Sequence, residues 1–123
     1  MTTFYPSLRY DDAPAAIDWL ERAFGFEREM VVEEDKGTIA HAQLKYGDGM
    51  IMLGSERDDD WGPHVGRSWV YVAVEGDVDA HYERAKAAGA EVVREPTDQE
   101  YGSRDYSVRD PEGNVWSFGS YRP

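Results

Sequence analysis

The sequence predicts an α+β domain built from two tandem βαβββ units, and three observations carry that prediction. The first is a hairpin near the C-terminus. Residues 104–109 (Arg-Asp-Tyr-Ser-Val-Arg) alternate in character, Asp110-Pro111-Glu112-Gly113 is turn chemistry, and residues 115–121 return as a strand. The second is a fainter copy in the first half, where residues 44–55 again run strand, Gly-rich turn, strand. That copy ends Leu53-Gly54-Ser55 where the later one ends Phe118-Gly119-Ser120. The third is a helix upstream of each copy containing Glu-Arg-Ala, at residues 21–23 and 83–85. At 123 residues the chain suits one domain spanning 1–123. Halves of about sixty residues bury too little surface to stand comfortably alone, so the two are expected to pack together.

Taken in order, the first unit covers about residues 4–54. Residues 4–10 read as a strand with Phe4, Pro6, Leu8 and Tyr10 on one side and Tyr5, Ser7 and Arg9 on the other. Pro6 marks an edge position or the strand's beginning. Asp11-Asp12-Ala13-Pro14 starts a helix, with Asp near the N-cap and Pro in the first turn. Ile17, Leu20 and Phe24 form its apolar stripe and Gly25 ends it. Strands over residues 26–34, 38–46 and 50–54 follow, separated by Asp35-Lys36-Gly37 and Gly47-Asp48-Gly49.

Residues 55–66 are the linker: polar, with Gly and Pro and no periodicity. The Asp58-Asp59-Asp60 run reads as a solvated acidic tip. Trp61 stands out, because an indole in a polar loop needs somewhere to lodge, either as a packing anchor or as a lid over a ligand. The second unit covers about residues 67–121. A strand over 67–74 leads to a helix over 78–88 capped by Asp77, with Gly89 at C′ and a buried stripe of Val78, Tyr82 and Ala85. A strand over 91–95, a loop over 97–103 and the closing hairpin complete it.

Composition narrows the function classes. The chain has no cysteine, which excludes disulfides, zinc fingers and thiol nucleophiles. No apolar run approaches a membrane span and the N-terminus lacks the form of a signal peptide, so a cytoplasmic location is the default expectation. A net charge of -12 argues against nucleic acid and anionic membranes as partners and is compatible with a cationic ligand.

Alternation then separates two faces. Helices are expected to cover Leu8, Ala40, Ala42, Leu44, Ile51, Leu53, Val70, Val72, Val74, Tyr106, Val108, Trp116 and Phe118. The opposite face carries Tyr5, Ser7, Arg9, His41, Gln43, Met50, Met52, Trp69, Tyr71, Asp105, Ser107, Arg109, Ser117 and Tyr121. Aromatics, methionine and a few hydrogen-bonding groups are the lining expected of a small-molecule pocket. A subunit interface enriches the same residue types, and one surface can serve as both.

The paired units, residues 9–20 (Arg-Tyr-Asp-Asp-Ala-Pro-Ala-Ala-Ile-Asp-Trp-Leu) running into Phe24-Gly25-Phe26, and above all residues 110–116 (Asp-Pro-Glu-Gly-Asn-Val-Trp) resemble the vicinal oxygen chelate superfamily of glyoxalases, extradiol dioxygenases and fosfomycin- and bleomycin-resistance proteins. The resemblance spans nearly the whole chain. It implies a cupped eight-stranded mixed sheet around a cavity, helices outside, and a homodimer. Family enzymes hold a divalent metal with His and Glu from four strands, and the metal acts as a Lewis acid on adjacent substrate oxygens. Carried over by register, those positions here are Tyr5, Met52, Trp69 and Ser117, none a ligand of the usual kind. The expectation is therefore no metal and no cofactor, closest in character to the metal-free bleomycin-resistance-like members.

The three histidines do not rebuild a site. His41 lies on the cavity face, with Asp105 and Glu56 as the best available companions. His64 lies in the linker, and His81 reads as an exposed helix residue. No Ser-His-Asp order and no phosphate-cradling Gly loop is present. The expected function is sequestration of an aromatic or cationic drug or metabolite without chemistry, by Tyr5, Ser7, Arg9, His41, Gln43, Met52, Trp61, Trp69, Tyr71, Asp105 and Ser117. The alternative is a lyase, isomerase or dioxygenase of the same fold, using a relocated metal or acid–base groups such as His41, Asp105 and Arg9.

Overall fold

The computed structural model describes residues 2–60 and 65–123. The first unit runs β1 (Ser7–Tyr10), α1 (Ala13–Phe24), β2 (Glu27–Glu33), β3 (Ile39–Tyr46) and β4 (Gly49–Ser55), with a single 3₁₀ turn at Asp35–Gly37. The second runs β5 (Trp69–Ala73), α2 (Val78–Ala87), β6 (Glu91–Asp98), β7 (Arg104–Arg109) and β8 (Val115–Gly119). The two βαβββ units are thus present, in an α+β fold. Their sheets share one topology, β1-β4-β3-β2 and β5-β8-β7-β6, in which the first strand lies parallel to the last and the others pair antiparallel.

Local chemistry sets the element ends. Asp12 caps α1 by accepting from the Ala15 amide at 3.2 Å, and Gly25 closes the helix at φ 80°, where a side chain is disfavoured. Asp77 caps α2 in the same manner. β5 is trimmed to Trp69–Ala73 from the expected 67–74 and β8 stops at Gly119 rather than residue 121, and two further strands differ more. β1 begins at Ser7 rather than residue 4, because Pro6 has no amide proton to add to the ladder and Phe4 is 87% exposed. β6 extends to Asp98 through Pro96, since register shifts between Val92 and Thr97 bend it past the proline and let Thr97 and Asp98 pair with Asp105 and Arg104.

The eight strands do not close into one sheet within the chain. Among the described residues no strand of one unit pairs with a strand of the other, and β1 and β5 each keep one open edge. Each helix covers the apolar face of its own sheet, on the outer side relative to the expected cavity face, and the two helices also meet. α1 and α2 pack on each other between the units: the Trp19 indole N–H donates to the Ala88 carbonyl at 2.8 Å, and the Arg84 guanidinium donates to the carbonyls of Arg22 and Glu21. Each helix faces its own sheet on one side and the other helix on the other, so more than one stripe is buried. Phe24 at the end of α1 reaches Trp116 and Phe118 of β8 at ring separations of 5.4 and 4.6 Å. One aromatic core therefore joins the two units, and burial of such side chains contributes about 2 kcal/mol each.

His81 belongs to that core, which corrects its reading as an exposed helix residue. Its Nε2–H donates to the Phe24 carbonyl at 2.8 Å, leaving Nδ1 to accept from the Tyr106 hydroxyl at 2.6 Å. Its ring lies 4.5 Å from that of Phe118. Residues 78, 81, 82 and 85 share one flank of α2, so the histidine points inward with the stripe. Burial holds His81 below the usual imidazole range, against the Phe24 carbonyl that favours its charge, and nearby Arg84 lowers it further.

The Asp110–Gly113 turn is a second lock between the units. The Asp110 carboxylate, 4% exposed, accepts from the Tyr10 hydroxyl at 2.6 Å, the amides of Glu112 and Asn114 at 3.0 Å, the Asn114 side chain at 3.2 Å and the Trp116 indole at 3.0 Å. Glu112 accepts from the amides of Asp11 and Asp12, just before α1. Burial and the Asp110 charge together push the Tyr10 phenol far above its ordinary range, so it remains a donor. The turn that marks the repeat in sequence is a fastening of one unit to the other.

Candidate functional site

Burial alternates along β1, β3 and β4, where Leu8, Ala42, Leu44, Ile51 and Leu53 are buried and Ser7, Arg9, His41, Gln43 and Met52 are more exposed. In β7 and β8, by contrast, Asp105 and Ser117 are buried together with their neighbours. In the first unit Ser7 stands beside Met52 across the β1–β4 pair, and Met52 beside Gln43 across β3–β4. The Gln43 side chain links two neighbours, with its Oε1 2.9 Å from His41 Nε2 and its Nε2 donating to Glu29 Oε1 at 2.9 Å. In the second unit Tyr71 stands beside Ser117, and Ser117 beside Ser107. The two pairs correspond: Met52 and Ser117 each precede the residue before a Gly-Ser by the same step, and Tyr5 and Trp69 each lie two residues ahead of the strand partner.

These four positions do not present the donor set of a divalent metal. The Trp69 indole N–H donates to Ser117 Oγ at 2.9 Å, and Ser117 Oγ lies 2.7 Å from Ser107 Oγ. An indole nitrogen bearing its proton has no lone pair to give, and the serine hydroxyl is already engaged. Tyr5 is 51% exposed ahead of β1, and Met52 offers a soft thioether. Among the described residues no three carboxylates or imidazoles converge on a point.

Nor does the structure assemble the acid–base set. His41 is on β3 of one sheet and Asp105 on β7 of the other, and no hydrogen bond joins them. Arg9 lies on the expected face, but its guanidinium forms a two-pronged ion pair with Asp59, at 2.8 and 3.0 Å, and a longer contact to Glu56. Asp59 is thus tethered to β1 rather than part of a wholly solvated acidic tip. Trp61 and His64 lie outside the described residues.

Sequence reasoning missed the surroundings of Asp105. This carboxylate is 7% exposed and accepts from three hydroxyls: Tyr71 at 3.2 Å, Tyr101 at 2.9 Å and Ser103 at 3.1 Å. The Tyr121 amide donates in turn to the Tyr71 hydroxyl at 2.9 Å. Tyr101 and Ser103 come from the loop before β7, where no periodicity flags them. The one available signal was proximity in sequence to Asp105.

The faces are open in a single chain. A concavity of about 430 Å³ lies instead between α1 and the 110–112 turn, lined by Tyr10, Trp19, Leu20 and Pro111 among others. Another of about 370 Å³ lies where the start of β4 meets β5, lined by Phe4, Phe26, Met50, Tyr71 and Arg122 among others. Of the expected site residues that are described, only Tyr71 borders either. No helix among the described residues is long and apolar enough to cross a membrane.

With this geometry in hand, comparison with known proteins is specific. The sequence pattern of the Glyoxalase/Bleomycin resistance protein/Dioxygenase superfamily matches residues 3–118. The crystal structure of TioX from Micromonospora sp. ML1 superposes with a TM-score of 0.81 at 35% identity, covering 99% of this chain and 100% of that one. A glyoxalase/bleomycin resistance protein from Catenulispora acidiphila shares the fold, with a TM-score of 0.72 at 20% identity over 99% of this chain and 100% of that one. An uncharacterized protein of Mycobacterium bovis is 35% identical over 93% of this chain and 80% of its own length. The chain belongs to the Glyoxalase/Bleomycin resistance protein/Dioxygenase superfamily.

Proposed function

We propose that this protein binds a small aromatic or cationic molecule and returns it unchanged, without a metal, in a cup completed by a second copy of the chain. The observation that carries the reading is the pairing of Trp69 with Ser117. At a position where family enzymes hold a metal, an indole N–H is donated into the site, which favours stacking and hydrogen bonding over Lewis-acid chemistry. Aromatic area is available for contact, since Trp69 is 75% exposed and Tyr5 51%. Ser7, His41, Gln43 and Met52 on one sheet, with Tyr71, Asp105 and Ser117 on the other, supply the remaining lining. Arg9 is assigned to shaping the rim through Asp59, and Trp61 in the linker remains a candidate cover for the ligand.

The dimer rests on edges. β1 and β5 end their sheets with unpaired strand edges, and open edges beside exposed aromatics favour pairing with another chain. Placing β1 of one protomer against β5 of its partner joins a first-unit face to a second-unit face in one cup. Sedimentation should then report twice the 14.0 kDa chain mass.

The deciding experiment has two arms. After incubation with Mn, Fe, Ni or Zn and desalting, the protein should retain less than about a tenth of an equivalent of metal. A screen of planar and cationic compounds read by Trp fluorescence should yield ligands that are recovered with unchanged mass. Near one equivalent of metal per chain, or depletion of the ligand, overturns the reading in favour of an enzyme.

A further inference from the structure

The second-unit face holds a buried carboxylate that no cation pairs with among the described residues. We propose that Asp105, together with Tyr71, Tyr101 and Tyr121, forms a box that receives a positively charged nitrogen of the alkylammonium class. This rests on the reading that the face binds a small molecule, and adds which charge and which end of the molecule it takes.

The first argument is electrostatic. All three groups donating to Asp105 are neutral hydroxyls, and no ion pair joins it to Lys, Arg or His among the described residues. The adjacent cation, Arg104, is turned away to Asp79 at 2.8 Å and Asp98 at 3.0 Å. A buried carboxylate without a counter-charge is costly, and hydroxyl donors offset only part of that cost. An incoming cation offsets more, and the net charge of -12 favours its approach.

The second argument is the shape of the aromatic wall. The Tyr101 and Tyr121 rings lie 5.2 Å apart at 75°, and those of Tyr71 and Tyr121 6.5 Å apart at 79°. Rings set edge to face turn their π surfaces in different directions, and an ammonium group is held against such surfaces. They are 38%, 62% and 43% exposed for Tyr71, Tyr101 and Tyr121, while the carboxylate behind them is not. Two of the phenols donate to that carboxylate, which makes their rings richer in electrons. Burial, and then the Asp105 charge, push the Tyr71 phenol up to about 12, so it stays a donor at neutral pH.

The third is the space given to the carboxylate. Gly119 stands opposite Asp105 across β7–β8 and does not have the positive φ that would by itself call for glycine. A Cβ there would collide with the Asp105 carboxylate and come within 2.6 Å of the Tyr71 hydroxyl. Glycine at this position serves the room that Asp105 occupies.

The test uses the full chain, ¹⁵N-labelled, titrated at constant ionic strength with choline and with 3,3-dimethylbutan-1-ol, its uncharged carbon isostere. Choline should shift the amides of Tyr121, Gly119 and Tyr71 saturably, and the isostere should bind roughly tenfold more weakly or less. Asp105→Asn and Tyr121→Ala should each weaken choline by roughly tenfold. Tyr121 follows the last strand, so its variant tests the box with little risk to folding. Equal response to the two probes, or choline affinity kept in both variants, overturns the proposal and leaves the cluster as a tether for the C-terminal residues. Indole, followed by Trp fluorescence, separates the levels. Indole binding without choline binding sinks the cation box and leaves the small-molecule reading standing; failure of both probes removes the two together.

Discussion

Asp105 and Asp110 sit five residues apart on the same hairpin, both nearly excluded from solvent, yet their settings differ in kind. Asp110 is held by two backbone amides, a side-chain amide, an indole and a phenol, four of them N–H groups fixed by the fold. Asp105 is held by three hydroxyls, each on a rotor that can turn to another acceptor. A carboxylate committed to fixed donors across a unit boundary is a fastening. One surrounded by rotatable donors and exposed rings keeps capacity for a partner. Burial alone does not separate a structural carboxylate from a binding one, whereas the identity of the donors does.

That contrast is broken most severely at Asp110. Asp110→Ala strands the Tyr10 hydroxyl, the Trp116 indole and the Asn114 amides in the core, and urea unfolding should show a loss of about 4 kcal/mol or no folded protein. A loss below about 1 kcal/mol would mean the turn is not the lock between the units. Next comes Gly119→Ala, which drives a methyl group into the Asp105 carboxylate; overpacking of this kind should cost about 2 kcal/mol and displace Tyr71.

A gentler effect is expected from pH through His81. Its folded value is depressed, so the native state binds fewer protons than the unfolded chain once the pH falls below the ordinary imidazole value. The stability it contributes is complete above about 6.5 and is lost as the pH drops through the folded value. His81→Gln should flatten this part of the stability profile, and an unchanged slope would remove His81 from the account. The smallest change in stability is expected for Asp105→Asn, below about 1 kcal/mol, because the amide oxygen still accepts from hydroxyls. Together with lost choline binding, that small change would sharpen the distinction between the two aspartates.

Much of the fold was legible because it depends on local chemistry. The caps at Asp12 and Asp77, the stop at Gly25, and the turns at 47–49 and 110–113 each follow from neighbouring residues. Alternation assigned Leu53, Val108 and Phe118 to the buried side correctly, since a strand facing a helix must hide one set of side chains. The site was legible only as a face. Arg9 was placed on it, but its engagement by Asp59, fifty residues on, depends on a loop path that no periodicity encodes. Tyr101 and Ser103 escaped notice because loop residues carry no register.

The amino-acid sequence alone therefore determined the two-unit plan and the main run of the strands, both properties of residue type and spacing. Only the tertiary structure decided that the helices lie between the units, that His81 is a core hydrogen-bonding residue, and that three hydroxyls converge on Asp105. Those outcomes depend on which surfaces meet when two amphipathic units pack, and surfaces distant in the chain acquire their neighbours only when the core between them closes.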